Sequence, residues 1–327
     1  MISSKPPRPK VRGGQEATAV TTELYPAGPF RLDFTAWALR RRARNRIDVF
    51  DGHYRRALVI EGQPLALKVS QASLPESPPT LTLTVSGRID ALTEGRIRTA
   101  RRVVETNLGL AVDLTPFYRL ARSDPRVSGL VARFRGLKPP RFPTLFESLV
   151  NAVACQQLSL EVGIELLNRL TDAYGVTVPG GDPLLLAFPE PEALAAASSP
   201  ALRQLGFSTR KASTLIGLAA AAADGDLDAM GLETLSRAEA TATLQELPGI
   251  GRWSAEYVLL RGLGHLDVYP GDDVGARNKL SRFLALSEPP DYDAVQRIAA
   301  AWGPFAGMVY FHLLLDGLAE RSILPFA

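Results

Sequence analysis

The side-chain period changes once along this chain, near Asp90, and that change restricts the fold more than any other feature. Before it, Phe30, Leu32 and Phe34 alternate with Arg31 and Asp33; Leu65, Leu67 and Val69 alternate with Ala66 and Lys68; Leu81, Leu83 and Val85 alternate with Thr80, Thr82 and Thr84. A period of two puts successive side chains on opposite faces, so these segments are expected to be half-buried strands of one antiparallel sheet. Residues 35–46 read as the start of a helix, and the proline-rich stretch 74–79 as a loop. After Asp90 the spacing becomes helical. Ile97, Val104 and Leu108 fall on one stripe of a helix over 93–110. Further helices are expected at 144–175, 190–198, 200–206, 210–225, 233–244, 251–263, 273–286, 292–301 and 304–320, with Gly, Pro or Asp at the breaks. The expected fold class is α+β: a small N-terminal α/β domain followed by an all-helical region.

With 327 residues, 46% of them hydrophobic, the chain is long enough for two or three domains. Residues 1–24 are rich in Ser, Pro, Gly, Lys and Arg and read as a disordered basic tail. Cys155 is the single cysteine, which excludes an internal disulfide and any four-cysteine zinc or iron–sulfur centre. His53, His265 and His312 are scattered without ligand spacing, so no catalytic metal is expected. The net charge is +3 and only six of the 37 basic residues are lysine. Arginine suits bidentate contacts to phosphate, although a GC-rich coding bias produces the same composition. No apolar run reaches the roughly 18 residues of a membrane helix, and the first residues lack the charged-then-apolar order of a signal peptide. A cytosolic protein is the default expectation.

The segment Leu247-Pro248-Gly249-Ile250-Gly251-Arg252-Trp253 lies between two helical patterns. Pro248 stiffens the entry, while Gly249 and Gly251 allow positive φ and leave backbone amides uncovered. A helix starts directly afterwards, so its unpaired N–H groups face the turn and are able to hold a phosphate. Such a grip reads no base sequence. Taken alone, this turn occurs in many helical proteins. Pro270-Gly271-Asp272-Asp273 follows, with Asp273 placed 22 residues (273 − 251) after Gly251. That gap fits one helix and a return loop, which puts Asp273 at the start of the next helix. An N-cap is one role for it and a catalytic carboxylate the other.

Residues 247–279 resemble the signature of the helix–hairpin–helix (HhH-GPD) DNA glycosylase superfamily, most of all its alkylation-specific branch of the bacterial 3-methyladenine DNA glycosylase II type. Leu202-Arg203-Gln204-Leu205-Gly206-Phe207 with Arg210-Lys211-Ala212, Gln156-Gln157-Leu158-Ser159 and Trp302-Gly303-Pro304-Phe305 are similar to further elements of that family. The resemblance covers most of 28–327 and is strongest over 142–316. It implies a TBP-like antiparallel sheet domain over 25–90, one helical subdomain from 91–140 with 274–327, and a second over 141–273 that carries the hairpin. It also implies a monomer acting on double-stranded DNA that contains a damaged base.

The resemblance makes Asp273 the carboxylate that stabilises positive charge on the sugar as the glycosidic bond breaks. An alkylated purine such as 3-methyladenine already carries charge and leaves without a second acid. Asp272 is then structural. Bifunctional relatives carry a lysine where this chain has Trp253, so hydrolysis without a lyase step is expected. Trp253, Tyr257 and Phe305 are the implied walls of the pocket for the flipped base, against the alternative of ordinary helix packing. Leu247, Gly249, Ile250, Gly251 and Arg252 are implied to hold DNA, with the amide of Trp253. Gln157 or Leu158 is implied to be the wedge that fills the emptied stack. No cofactor is implied beyond a monovalent cation on the carbonyls of Leu247 and Ile250. The chain departs from the family pattern at Val274, Phe305 and Ala306, where an aromatic, a tryptophan and an arginine are usual. Two other readings stay open: a glycosylase for an oxidised or deaminated base, and a non-catalytic DNA-binding module, for which Asp273 has no use.

Overall fold

The computed structural model describes residues 18–72, 79–182, 184–227, 229–321 and 324. Most of the expected loop at 74–79 therefore lies outside the described residues. Strands β1 (Thr18–Leu24), β2 (Val49–Phe50), β3 (Tyr54–Ile60), β4 (Gln63–Gln71) and β5 (Leu81–Gly87) form an N-terminal sheet, with helix α1 (Leu32–Arg40) packed on β3. β1, β5, β4 and β3 lie side by side, each pair antiparallel. Leu81, Leu83 and Val85 of β5 and Leu65, Leu67 and Val69 of β4 are buried, as the alternation demands.

Two expectations fail in this region. Thr18–Leu24 is not part of a tail but an edge strand paired with β5. Only Leu24 of it is fully buried, so backbone pairing rather than an apolar pattern holds it, and composition misses it. Leu32 and Phe34 belong to helix α1, not to a strand. Every residue from Leu32 to Leu39 is buried, and a helix buried on all sides shows no helical stripe to read.

The helical part comprises α2 (Glu94–Asn107), α3 (Thr115–Ser123), α4 (Pro125–Arg133), α5 (Leu145–Cys155), α6 (Leu160–Tyr174), α7 (Pro191–Ala195), α8 (Ser199–Gln204), α9 (Thr209–Ala223), α10 (Ala229–Thr234), α11 (Arg237–Glu246), α12 (Arg252–Val258), α13 (Val274–Phe283), α14 (Tyr292–Ala300) and α15 (Ala306–Ala319). It is not wholly helical. Two short strands, β6 (Val176–Thr177) and β7 (Leu186–Ala187), extend the N-terminal sheet, β7 pairing parallel to β3 at Ala57. One set of helices gathers around α5, which packs on α6, α9 and α12; another gathers around α15, which packs on α1, α4 and α13. The sheet is fastened to the first set by a buried ion triad. Arg56 of β3 pairs with Asp48 at 2.6 Å and with Glu147 of α5. Removing one partner from such a group leaves an unpaired buried charge.

His312 lies in the centre of α15, 1% exposed, among the rings of Phe117 and Phe134. Its Nδ1 is 2.8 Å from the Met308 carbonyl, and burial holds its pKa down to about 4. The unfolded chain takes up this proton near pH 6.5 and the folded chain only near 4. Between those values the unfolded state binds more protons, so stability falls as pH drops, by on the order of 3 kcal/mol in all. Urea unfolding at pH 7 and pH 4 is expected to show this loss for the wild type and a smaller one for His312→Phe. Equal losses in the two proteins would contradict the assignment.

Candidate active site and nucleic-acid interface

The hairpin begins where α11 ends. A capping box between Ser236 and Glu239 starts that helix, and Leu247 ends it in extended backbone. Gly249 has φ +84°, and a Cβ there would stand 2.3 Å from Thr214 Oγ1 of α9, so both the turn and its close packing require glycine. Gly251 differs from the expectation. Its φ is −95° in extended backbone that any residue adopts, and the space around it is open. It contributes an uncovered amide at the head of α12 rather than a special conformation. Ile250 is buried, and its amide donates to the Leu247 carbonyl at 3.1 Å.

The hairpin is braced by the turn after α5. Gln156 Nε2 donates to the Gly249 carbonyl at 2.9 Å and to Ser254 Oγ at 2.8 Å. Lys211 Nζ donates to the carbonyls of Ala154 and Gln156, at the C-terminal end of α5 and just past it. Gln157, with φ +53°, and Leu158, 44% exposed, project beyond this brace. Leu158 also lines the adjoining cleft, whereas Gln157 does not.

That cleft, about 380 Å³, lies between the two sets of helices. Trp253 and Tyr257 of α12 form one wall, their rings stacked at 5.4 Å. Trp253 is half-buried and presents its outer side, while Tyr257 is 4% exposed and largely a support for it. Asp273 stands on the same cleft at the start of α13. Its Oδ1 accepts from the Ala276 amide at 2.9 Å and its Oδ2 from the Tyr310 hydroxyl at 3.2 Å. The N-cap reading is thus realised, without emptying the carboxylate's second role: Tyr310, from the distant α15, aims the group into the cleft. Burial and the nearby charge of Asp273 raise the Tyr310 hydroxyl well above its usual range, so it stays a donor.

The loop that delivers Asp273 is fixed by Glu256, 2% exposed. Its carboxylate accepts from the Gly271 amide at 3.0 Å, the Tyr292 hydroxyl at 2.8 Å and Arg237 at 3.2 Å. Asp272 pairs with Arg252 at 2.7 Å, and the Arg252 guanidinium lies 3.7 Å over the Tyr292 ring. This pair ties the hairpin to the aspartate loop. Lys279 also lines the cleft; among the described residues its Nζ donates a hydrogen bond only to the Gly275 carbonyl, at 3.4 Å, and burial lowers its pKa.

Phe305 does not join these residues. It lies in a short 3₁₀ turn and packs on Phe117 at 5.8 Å, outside the cleft lining. The fully buried Trp302, with Nε1 3.3 Å from Asp124, anchors that turn in the core and so directs Phe305 away. Val274, 65% exposed, forms the cleft rim. Tyr310, Glu256, Arg41 and Lys279 also belong to the site or its support, and no motif in the sequence marks them. Each comes from a position without local pattern, and only the fold brings it to Asp273.

The chain matches the family described as HhH-GPD superfamily base excision DNA repair protein over residues 150–304. It is 30% identical over 201 residues to the DNA-3-methyladenine glycosylase of Bacillus subtilis, covering 62% of this chain and 66% of that one, just under two thirds of its length. It is 30% identical over 187 residues to DNA-3-methyladenine glycosylase 1 of Schizosaccharomyces pombe, covering 54% and 78% of the two chains. The solved 3-methyladenine DNA glycosylase from Archaeoglobus fulgidus superposes with a TM-score of 0.77 at 27% identity, over 90% of this chain and 97% of that one.

Proposed function

The chain belongs to the HhH-GPD superfamily of base excision DNA repair proteins, and on that premise we propose that it is a DNA glycosylase that hydrolyses the N-glycosidic bond of alkylated bases, 3-methyladenine and similar. One observation carries the reading: a carboxylate, Asp273, held at both oxygens by Ala276 and Tyr310, shares a cleft with the exposed side of Trp253 beside the hairpin. Amides of the hairpin at Gly249, Gly251 and Trp253 hold the DNA backbone, and Leu158 is the wedge. The flipped base stacks on Trp253. As the C1′–N bond lengthens, positive charge grows on the sugar, and Asp273 stabilises it. Water completes the displacement and leaves an abasic site. Leu247 and Ile250 offer carbonyls for a monovalent cation at the hairpin.

Trp253 occupies the position from which a lysine would attack, so the enzyme is monofunctional. Reaction with an alkylated duplex under borohydride is expected to give free base and no covalent protein–DNA adduct. An adduct that disappears in Lys279→Arg would assign a lyase step to that amine and overturn the monofunctional reading.

A further inference from the structure

The floor of the cleft holds a cation that the hydrolysis of a charged base does not need. Arg41 follows α1 with φ +63° and is 3% exposed, yet it lines the cleft. Its Nη1 donates to the Tyr257 hydroxyl at 2.6 Å and its Nη2 to Asn151 Oδ1 at 2.7 Å. Its Nε has no partner, and among the described residues no carboxylate forms an ion pair with it. A second buried arginine, Arg261, lies 5.7 Å over the Tyr257 ring and 5.3 Å over Phe142, and among the described residues its side chain donates a hydrogen bond only to the Ala38 carbonyl. The inner aromatic rings therefore already carry resident cations. The buried Asp48 and Glu147 carboxylates act on Arg41 only from a distance, each being bonded to Arg56. Burying a guanidinium without a directly paired counter-ion is costly, and in a site of low dielectric its field extends over the neighbouring atoms.

We propose that Arg41 is a specificity-determining residue, favouring excision of bases that are uncharged in the duplex over bases that already carry positive charge. The inference rests on the glycosylase reading above. In both cases water adds to C1′ while the C1′–N bond breaks and its electron pair passes to the base. An uncharged base leaves with negative charge growing on it and takes up the proton that the water gives up. A cationic base leaves neutral, and that proton goes to solvent. The Arg41 field stabilises the first departure and, before the bond breaks, repels the second base. It supplies part of what a second carboxylic acid would supply to a neutral leaving group, so the single carboxylate does not confine this enzyme to charged lesions.

Single-turnover excision of hypoxanthine, uncharged, and 7-methylguanine, cationic, from otherwise identical duplexes tests this. Arg41→Gln is expected to lower the hypoxanthine to 7-methylguanine rate ratio on the order of tenfold, and Arg41→Lys to keep it near the wild-type value. Asn151→Asp puts a carboxylate against the same guanidinium with little change of shape and is expected to shift the ratio in the same direction, which guards against misfolding of the Gln variant. Ratios within twofold of wild type in both Arg41→Gln and Asn151→Asp overturn the proposal and leave the glycosylase reading intact. Release of neither base by the wild type overturns both.

Discussion

Asp273→Asn is expected to lower base release about a thousandfold, while affinity for duplex DNA stays within a few-fold of wild type. The substitution keeps the shape of the site. Asparagine accepts from the Ala276 amide as aspartate does at 2.9 Å, and it caps a helix equally well, so stability is expected to change little. What is lost is the negative charge facing the sugar at the moment positive charge develops there. Removing one such electrostatic group from an enzyme site typically costs 10²–10³ in rate, and among the described residues no second carboxylate lines the cleft except Glu161, which is committed to Arg42 at 2.6 Å. Single-turnover base release read beside a melting curve separates the effects. A variant that melts like wild type and releases base at the wild-type rate would reduce Asp273 to a helix cap.

The second large effect is expected at the hairpin. Gly249→Ala should weaken DNA binding by about one to two orders of magnitude and cost about 1–3 kcal/mol of stability. The φ of +84° disfavours any Cβ, and this one would stand 2.3 Å from Thr214 Oγ1 and 2.8 Å from its Cγ2. Moving Gly249 also moves the carbonyl that receives Gln156, so the brace and the wedge turn shift with it. Adding Thr214→Ala removes both close atoms but not the backbone strain, and should restore part of the loss. Gly251→Ala, in open space with φ −95°, is the control and should fold like wild type. Binding measured by fluorescence anisotropy ranks the three; equal behaviour of the Gly249 and Gly251 variants would contradict the assigned geometry.

Legibility in the sequence followed the range of the interactions. Strands with one wet face, such as 81–85, and the hairpin with its aspartate are local patterns, and they appear where their residues indicated. The body of α1 lies inside the expected helix at 35–46, but its first turn, Leu32 to Phe34, mimics a strand because a helix buried all round shows no stripe; β1 is missed because an edge strand needs backbone partners more than apolar side chains. Helices α3 and α4 were passed over although each has proline in its first turn, a position where proline is well tolerated. Asp273, Trp253 and Leu158 line one cleft, and each lies in or beside a turn with its own signature, whereas the choice between Gln157 and Leu158 has no mark in the sequence. Arg41 and Tyr310 sit 232 residues (273 − 41) and 37 residues (310 − 273) from Asp273 in the chain, and nothing nearby marks them. Phe305 failed for the converse reason: its motif was legible, but the direction of its side chain is set by the burial of Trp302.

The most direct measurement is chromatography of the bases released from methylated duplex DNA by the full chain, with strand integrity followed in the same samples. Free 3-methyladenine, appearing in step with abasic sites on strands that stay whole until treated with alkali, is the expected result. Duplex DNA that is bound but yields no free base would contradict it and leave a hairpin module that grips DNA without chemistry.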